Sequence, residues 1–243
     1  MEKAYKLLAA QEEISNGAAK KLIDNGQVFV GAKKVMIARA NMNPKTTFKI
    51  NKIDRIAVLF EDENVIVVNK PSGVVSEVLE GEFEAMLLHR LDKDTSGVLI
   101  LVKNEEFRLK AIEEFKKHRV YKEYEAIVYG HLYEETKIDA PISTEKGKKA
   151  KSKIDKFGQS ALTLVEPIAI AGKKTHVKVV IETGRTHQIR LHLAHINHPI
   201  LGDTMYGGKV SPRMMLHAKR IKLFDYNFIA SVPVDFKHLM GAD

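Results

Sequence analysis

The chain has 243 residues, 44% of them hydrophobic, with 39 Lys+Arg against 31 Asp+Glu and no cysteine. This length suits one large domain, or a small one beside a larger one, and the lack of cysteine excludes disulfides, thiolate catalysis and cysteine-based zinc sites. No apolar stretch approaches the roughly 18 residues needed to span a bilayer, and "MEKAYKLLAAQEEIS" has neither the apolar core nor the cleavage site of a signal peptide, so a cytoplasmic protein without membrane contact is expected.

The formal charge of +8 favours a polyanionic partner. Residues 1–55 hold 11 Lys+Arg and 5 Asp+Glu, a net of +6, whereas the other 188 residues hold 28 and 26. Within that basic start, "GAAKKLIDNGQVFVGAKKV" predicts a helix through Ala18, Ala19, Leu22 and Ile23, a stop at Asn25-Gly26, and a hairpin of Gln27 to Val30 and Lys33 to Ile37. Read by itself, the segment is a small α/β cap with a solvated lysine face. Helix, glycine stop and basic hairpin also resemble the α-L RNA-binding motif of the small-subunit ribosomal protein type, with Ser15 in the place of the residue that opens the helix. The resemblance implies RNA contacts by Lys20, Lys21, Lys33 and Lys34.

After Arg55 the pattern turns to strands: Ile56 to Phe60, Val65 to Val68, Val98 to Val102, Tyr121 to Val128, Ala161 to Val165 and His176 to Glu182, with a helix from Glu105 to about Lys117. Strands outnumber helices, which predicts an α+β fold with a mixed, mostly antiparallel central sheet and flanking helices. The division expected is residues 1–55 and 56–243. "TEKGKKAKSKIDK" carries six lysines from Lys146 to Lys156 and reads as an exposed basic loop, with Lys148, Lys149 and Lys151 as further candidate RNA contacts.

The stretch "LLHRLDKDTSGVLILVKN" sets a dense charge cluster directly before a wholly apolar run. The run suits a strand in a sheet interior, and the cluster then occupies a loop held on a rigid strand, where functional residues concentrate. Alternatively, Arg90, Asp92, Lys93 and Asp94 merely solvate a turn. There is no phosphate-binding glycine loop and no Gly-x-Ser-x-Gly elbow. His187, His192, His195 and His198 lack an acidic partner at a metal-binding spacing, so no metal is expected and they serve as hydrogen-bonding and helix-surface residues.

"HRLDKDTSG" resembles the central motif of the RluA family of pseudouridine synthases, and further matches follow in order. "NKPSGVV" is similar to that family's first motif, "KEYEAIVYG" to the segment with its active-site tyrosine, and "TGRTHQIRLHLAHINHPILGDTMYGG" to its third motif and the following loop. "MMLHAKRIKL" and "VPVDF" resemble its closing strand and tail. The family's first motif often continues to a His-Pro, which is absent here, and a structural role is left open for Lys70.

The resemblance implies a sheet of the pseudouridine synthase type and an isomerase that converts uridine to pseudouridine in structured RNA, without cofactor, as a monomer. Large-subunit rRNA is preferred to tRNA because a basic N-terminal module suits a large RNA. Asp92 would be the catalytic carboxylate, attacking C1′ or removing the C2′ proton; both require its ionised form. Arg190 would be its ion-pair partner, since a guanidinium keeps its charge under burial better than an ammonium. Tyr124 would pack on the base and relay a proton. Arg90, flanked by His89 and Leu91, would enter the RNA where the base has left the stack, and Arg185, His187 and Gln188 would contact phosphate and the loop. The competing reading is a non-catalytic RNA-binding or ribosome-assembly factor on the same fold.

Overall fold

The computed structural model describes residues 1–24, 27–31, 33–50, 56–144 and 152–241, the Lys34 side chain excepted. Two compact units emerge: Met1–Ile56 with Gly73–Val75, and Ala57–Ser72 with Ser76–Asp243. Lys148, Lys149 and Lys151 lie outside the described residues. Among those described, no helix is long and apolar enough to cross a membrane.

In the first unit β1 (Glu2–Lys3) leads into α1 (Ala4–Gln11) and α2 (Asn16–Asp24), followed by β2 (Val28–Val30), β3 (Lys33–Lys34), β4 (Asn41–Met42) and β5 (Lys49–Ile50). β1 pairs with β4, and β2 lies between β3 and β5. The Ser15 hydroxyl accepts from the Ala18 amide at 3.1 Å, satisfying one of the free donors at the start of α2. The helix α1 is an addition to the expected elements. Its Ala4 and Leu8 pack with Ala19, Ile23, Val28 and Phe48, and its Gln11 side chain bonds both the amide (2.8 Å) and the carbonyl (2.7 Å) of Phe48.

The second unit runs β6 (Val58–Glu61), β7 (Val65–Lys70), α3 (Val78–Phe83), β8 (Met86–Leu87), β9 (Ser96–Val102), α4 (Glu105–Lys116), β10 (Tyr121–Tyr129), β11 (Thr136–Asp139), β12 (Ile142–Thr144), β13 (Ser152–Ile154), β14 (Leu162–Ala171), β15 (Lys174–Ile181), α5 (Gln188–His195), β16 (Leu216–Leu223), β17 (Tyr226–Ile229) and α6 (Val234–Met240). Ten of these strands form one sheet in the order β11-β14-β15-β10-β16-β9-β7-β6, with β17 on β16 and β8 on β9. Its described pairings are antiparallel except β9 with β16. The fold is therefore α+β with a mixed, mostly antiparallel sheet.

All seven residues of β9 are buried, which is why its run has no polar alternation. β15, by contrast, alternates buried and half-buried positions along its length. Val65, Val67, Val98, Ile100 and Val102 build the core with Ala111 of α4 and Phe228 of β17. Asn104 caps α4, its side chain accepting from the amides of Glu106 and Phe107 at 2.9 and 3.1 Å.

Three strands meet at one level in the middle of the sheet. Ala218 of β16 pairs with Tyr124 of β10 on one side and with Gly97 of β9 on the other. Gly97 has φ 116°, and a Cβ there would stand 2.2 Å from the Ala218 carbonyl oxygen, so only glycine permits the approach. The turn immediately before β9 is thereby brought to the level of Tyr124, where β16 carries an extra residue, Lys219, opposite the step from Glu123 to Tyr124. Such irregularities re-aim a side chain locally.

Candidate active site

The turn before β9 is gripped through its main chain. Thr95 donates its amide to the Asp92 carbonyl at 3.0 Å, closing a tight turn. Ser76 Oγ accepts from the Leu91 amide (3.1 Å) and donates to the Leu91 carbonyl (3.0 Å). Ser72 Oγ donates to the Asp94 carbonyl at 2.7 Å, and Lys70 Nζ to the carbonyls of Lys93 and Pro71, both at 3.1 Å. "NKPSG" and Ser76 thus hold the loop on either side of Asp92, giving Lys70 the structural role left open above. Lys70 is completely buried. Burial pulls its pKa down to about 7, although the carboxylates of Asp94, Asp92 and Glu77 oppose the change.

From the opposite side come α5 and the segment after it. Arg190 Nη1 donates to Asp92 Oδ2 at 3.0 Å, while its Nε and Nη2 donate to Asp203 Oδ2 and Oδ1 at 2.7 and 2.9 Å. Burial opposes the charge on Arg190, but the bonds from Asp203 and the two carboxylate charges outweigh it, so the guanidinium holds its proton more tightly than usual. Among the described residues, Asp92 Oδ1 accepts no hydrogen bond. His187 Nε2 lies 3.8 Å from Asp92 Oδ2, and its Nδ1 is 2.8 Å from the Tyr206 hydroxyl. His187 stands just before α5 with φ 59°, uncommon for a residue with a side chain. Burial lowers its pKa, so at neutral pH its ring is uncharged.

Asp92 opens on a cavity of about 100 Å³ lined also by Arg90, Leu91, Tyr124, Arg185, His187, Gln188 and Arg190, with Ile181, Ile189 and Leu216 supplying apolar surface. Tyr124 is 8% exposed, and burial, then the Asp92 charge, raises its pKa above the ordinary tyrosine value. The site offers a carboxylate held by a guanidinium, a protonated phenol and apolar walls, the equipment to bind a flat ring and act on the atom beside it.

Two candidates sit differently from expectation. His89 is turned away from the cavity: its Nε2 accepts from the Ile100 amide at 3.2 Å and its ring stacks on Phe115. Gln188 lines the cavity, but its amide is taken up inside the protein. Its Oε1 accepts from Thr183 Oγ1 and the Arg185 amide, and its Nε2 donates to Leu162 O and Thr163 Oγ1. It shapes the turn from Thr183 to Gln188 instead of reaching a ligand. Arg90 pairs with Glu77 at 2.7 Å on the surface, a contact worth at most about 1 kcal/mol. His192 is a buried strut between Thr163 Oγ1 and the Ala140 carbonyl, both at 2.9 Å. Lys20 rests over the Tyr5 ring, 4.4 Å from its centre, in the first unit, and Lys21 and Lys33 belong to that unit too.

Sequence reasoning missed Asp203 and Tyr206. Both lie in "LGDTMYGG", where a Cβ on Gly202 would meet the Arg213 carbonyl oxygen at 2.0 Å and one on Gly208 the Ile200 carbonyl oxygen at 2.0 Å. The pair of glycines about an acidic residue was the available signal of a tight, purposeful turn.

Comparison with known proteins assigns the chain to a class. The family described as RNA pseudouridylate synthase matches residues 64–195, which contain Asp92, Tyr124 and Arg190. A Helicobacter pylori (strain J99) protein described as an uncharacterized RNA pseudouridine synthase is 53% identical over 241 residues, covering 98% of this chain and 100% of the relative. Ribosomal large subunit pseudouridine synthase D of Escherichia coli O157:H7 is 28% identical over 271 residues, covering 95% of this chain and 82% of that one. Among solved structures, Human RNA Pseudouridylate Synthase Domain Containing 1 superposes with a TM-score of 0.67 at 26% identity, covering 80% of this chain and 89% of the other. The chain belongs to the RNA pseudouridine synthase family. It is an isomerase that acts on RNA.

Proposed function

We propose that the protein converts a uridine of large-subunit rRNA to pseudouridine, with Asp92 as the catalytic carboxylate. The isomerisation breaks the N1–C1′ bond, turns the base and joins C5 to C1′, so it needs neither oxidant nor net water. The observation that carries the reading is the Asp92–Arg190 pair at 3.0 Å on the wall of the cavity. Arg190 pairs with one oxygen of the half-buried Asp92 carboxylate, leaving Oδ1 to attack C1′ or take the C2′ proton. Tyr124, protonated at neutral pH, packs on the base and passes a proton during rearrangement. Arg90 needs little energy to leave Glu77 and fill the gap where the base departs the stack. The lysines of residues 1–55 hold the RNA electrostatically, as the α-L resemblance suggests. Large-subunit rRNA is favoured over tRNA by this basic segment and by the likeness to a ribosomal large subunit synthase.

The deciding test is Asp92→Asn, assayed on the cell's own rRNA and tRNA by carbodiimide modification and primer extension. Pseudouridine formation should vanish while RNA affinity stays within about threefold, well under the roughly 1.4 kcal/mol that a tenfold change represents. Turnover by the Asn variant would refute Asp92 as the catalytic carboxylate, and a site found only in tRNA would move the substrate.

A further inference from the structure

A second cavity, of about 380 Å³, adjoins the first and is lined by Ser143 and Thr144 of β12, Phe157, Gln159, Arg185 and Thr186. Gly184 and Arg185 line both cavities, so the two share a wall. At this second cavity stands Phe157, 86% exposed. The backbone that carries this ring is held in place. The Phe157 amide donates to Asp155 Oδ1 at 3.0 Å and the Gly158 amide to the Asp155 carbonyl at 2.8 Å. Gly158 is pressed on β12, since a Cβ there would be 2.4 Å from the Ile142 carbonyl carbon, and Gln159 exchanges two backbone bonds with Ile142 at 2.8 and 2.9 Å.

Charge and hydrogen-bonding groups complete the arrangement. Arg185 is oriented by its Nε bond to the Ser160 carbonyl at 3.1 Å, and among the described residues it has no carboxylate partner. Lys156 Nζ lies over the Phe157 ring, 4.9 Å from its centre. An exposed ring on a held backbone, two cations and the hydroxyls of Thr144 and Thr186 match the three parts of a nucleotide: base, phosphate and ribose. Bases stack on aromatic rings irrespective of sequence, and arginine is the preferred partner of phosphate. We propose that this cavity is a subsite for a nucleotide next to the target uridine, its base stacked on Phe157 and its phosphate met by Arg185. The proposal rests on the synthase reading of the adjoining pocket and specifies how the strand runs out of it: over the wall formed by Gly184 and Arg185.

The test uses the fact that the chain has no tryptophan. Phe157→Trp supplies a single indole at the subsite, and Tyr133→Trp supplies one at an exposed aromatic position (72% exposed) beyond the far end of β10. Full-length proteins are titrated with a uridine-rich single-stranded oligoribonucleotide, and turnover is followed on large-subunit rRNA from cells lacking the chain. RNA should quench the emission of Phe157→Trp at least about twofold more than that of Tyr133→Trp, as stacking requires. Phe157→Ala should raise KM about five- to 150-fold, the equivalent of about 1–3 kcal/mol per stacked base, with kcat within about threefold, and Phe157→Trp should restore KM. An unchanged KM in Phe157→Ala, or equal quenching at both indoles, overturns the subsite. If the parent chain makes no pseudouridine in this rRNA, the large-subunit substrate reading fails, and the subsite is then decided by the quenching alone.

Discussion

Asp203 holds Arg190 in a two-point grip, Nε to Oδ2 at 2.7 Å and Nη2 to Oδ1 at 2.9 Å, with side-chain exposures of 1% and 10%. Asp92 therefore receives only the remaining Nη1, from a guanidinium whose plane is already fixed. Removing one partner of such a buried pair costs about 3–5 kcal/mol. Asp203→Asn is expected to lose stability of that order in urea denaturation and to lower kcat at least tenfold in the fraction that stays folded. In that folded fraction KM should stay within about threefold, so the loss falls on kcat. A residue that only stabilises the fold would leave the kcat of the folded fraction unchanged.

Tyr124 is buried, and its raised pKa keeps the hydroxyl protonated throughout the neutral range. Tyr124→Phe keeps the ring. Filter binding should show RNA affinity within about threefold, while single-turnover pseudouridine formation should fall about a hundredfold or more, the usual contribution of a positioned proton-transfer group. The parent enzyme should show no alkaline limb from this phenol below its ordinary value of 10.0.

Lys70 gives a stability signature of definite sign. Its folded-state pKa of about 7 lies below the ordinary lysine value of 10.5, so between these the unfolded chain holds a proton that the folded chain has released. Unfolding then takes up a proton, and the contribution of Lys70 to stability rises with pH across that window by at most about 1.4 kcal/mol per pH unit. Lys70→Met removes this rise along with the grip on the Lys93 carbonyl. The urea midpoint of the parent, relative to that of Lys70→Met, should therefore rise between about pH 7 and about pH 10.5; a constant difference would mean that Lys70 is not titrating.

The proposed electrostatic role of the first unit can be read from salt dependence in the full-length chain. Substituting Lys20, Lys21 and Lys33 together by Gln should make log affinity against log salt shallower by about 2–3 units if each contacts a phosphate, taking roughly 0.7–0.9 per contact from single strands and B-DNA. kcat at saturating RNA should be unchanged. An unaltered slope would assign the unit a structural or protein-contacting role.

Much of the fold is written in short-range pattern. The run from Val98 to Val102 reads as an interior strand because burial on both faces removes alternation, and Asn104 before Glu105 announces α4. β14 reaches Ala171 where the pattern suggested a stop at Val165, since a register irregularity between Pro167 and Ala169 lets the strand continue past the proline. α1 escaped notice because an eight-residue helix with three buried side chains has little periodicity to show. For the site, the pairing of Asp92 with Arg190, 98 residues apart, had no local signal and came only from resemblance to ordered motifs. The same limit hid Asp203. It also misplaced His89, whose neighbours in sequence line the cavity while its ring bonds the Ile100 amide. Whether a side chain points toward a cavity or a sheet depends on turn geometry that spacing alone does not contain.

The position of β16 bears on when the enzyme can first work. It separates β9, which follows Asp92, from β10, which carries Tyr124, yet it is made of residues 216–223. A chain emerging from the ribosome thus possesses Asp92, Tyr124 and Arg190 well before the strand that registers them against one another has been synthesised. Until then the two halves of the sheet have no shared edge, and loop closure over more than a hundred residues must precede it. Competence should therefore appear abruptly near the end of translation, and nascent chains released short of Leu216 should be inert even with Asp92, Tyr124 and Arg190 present.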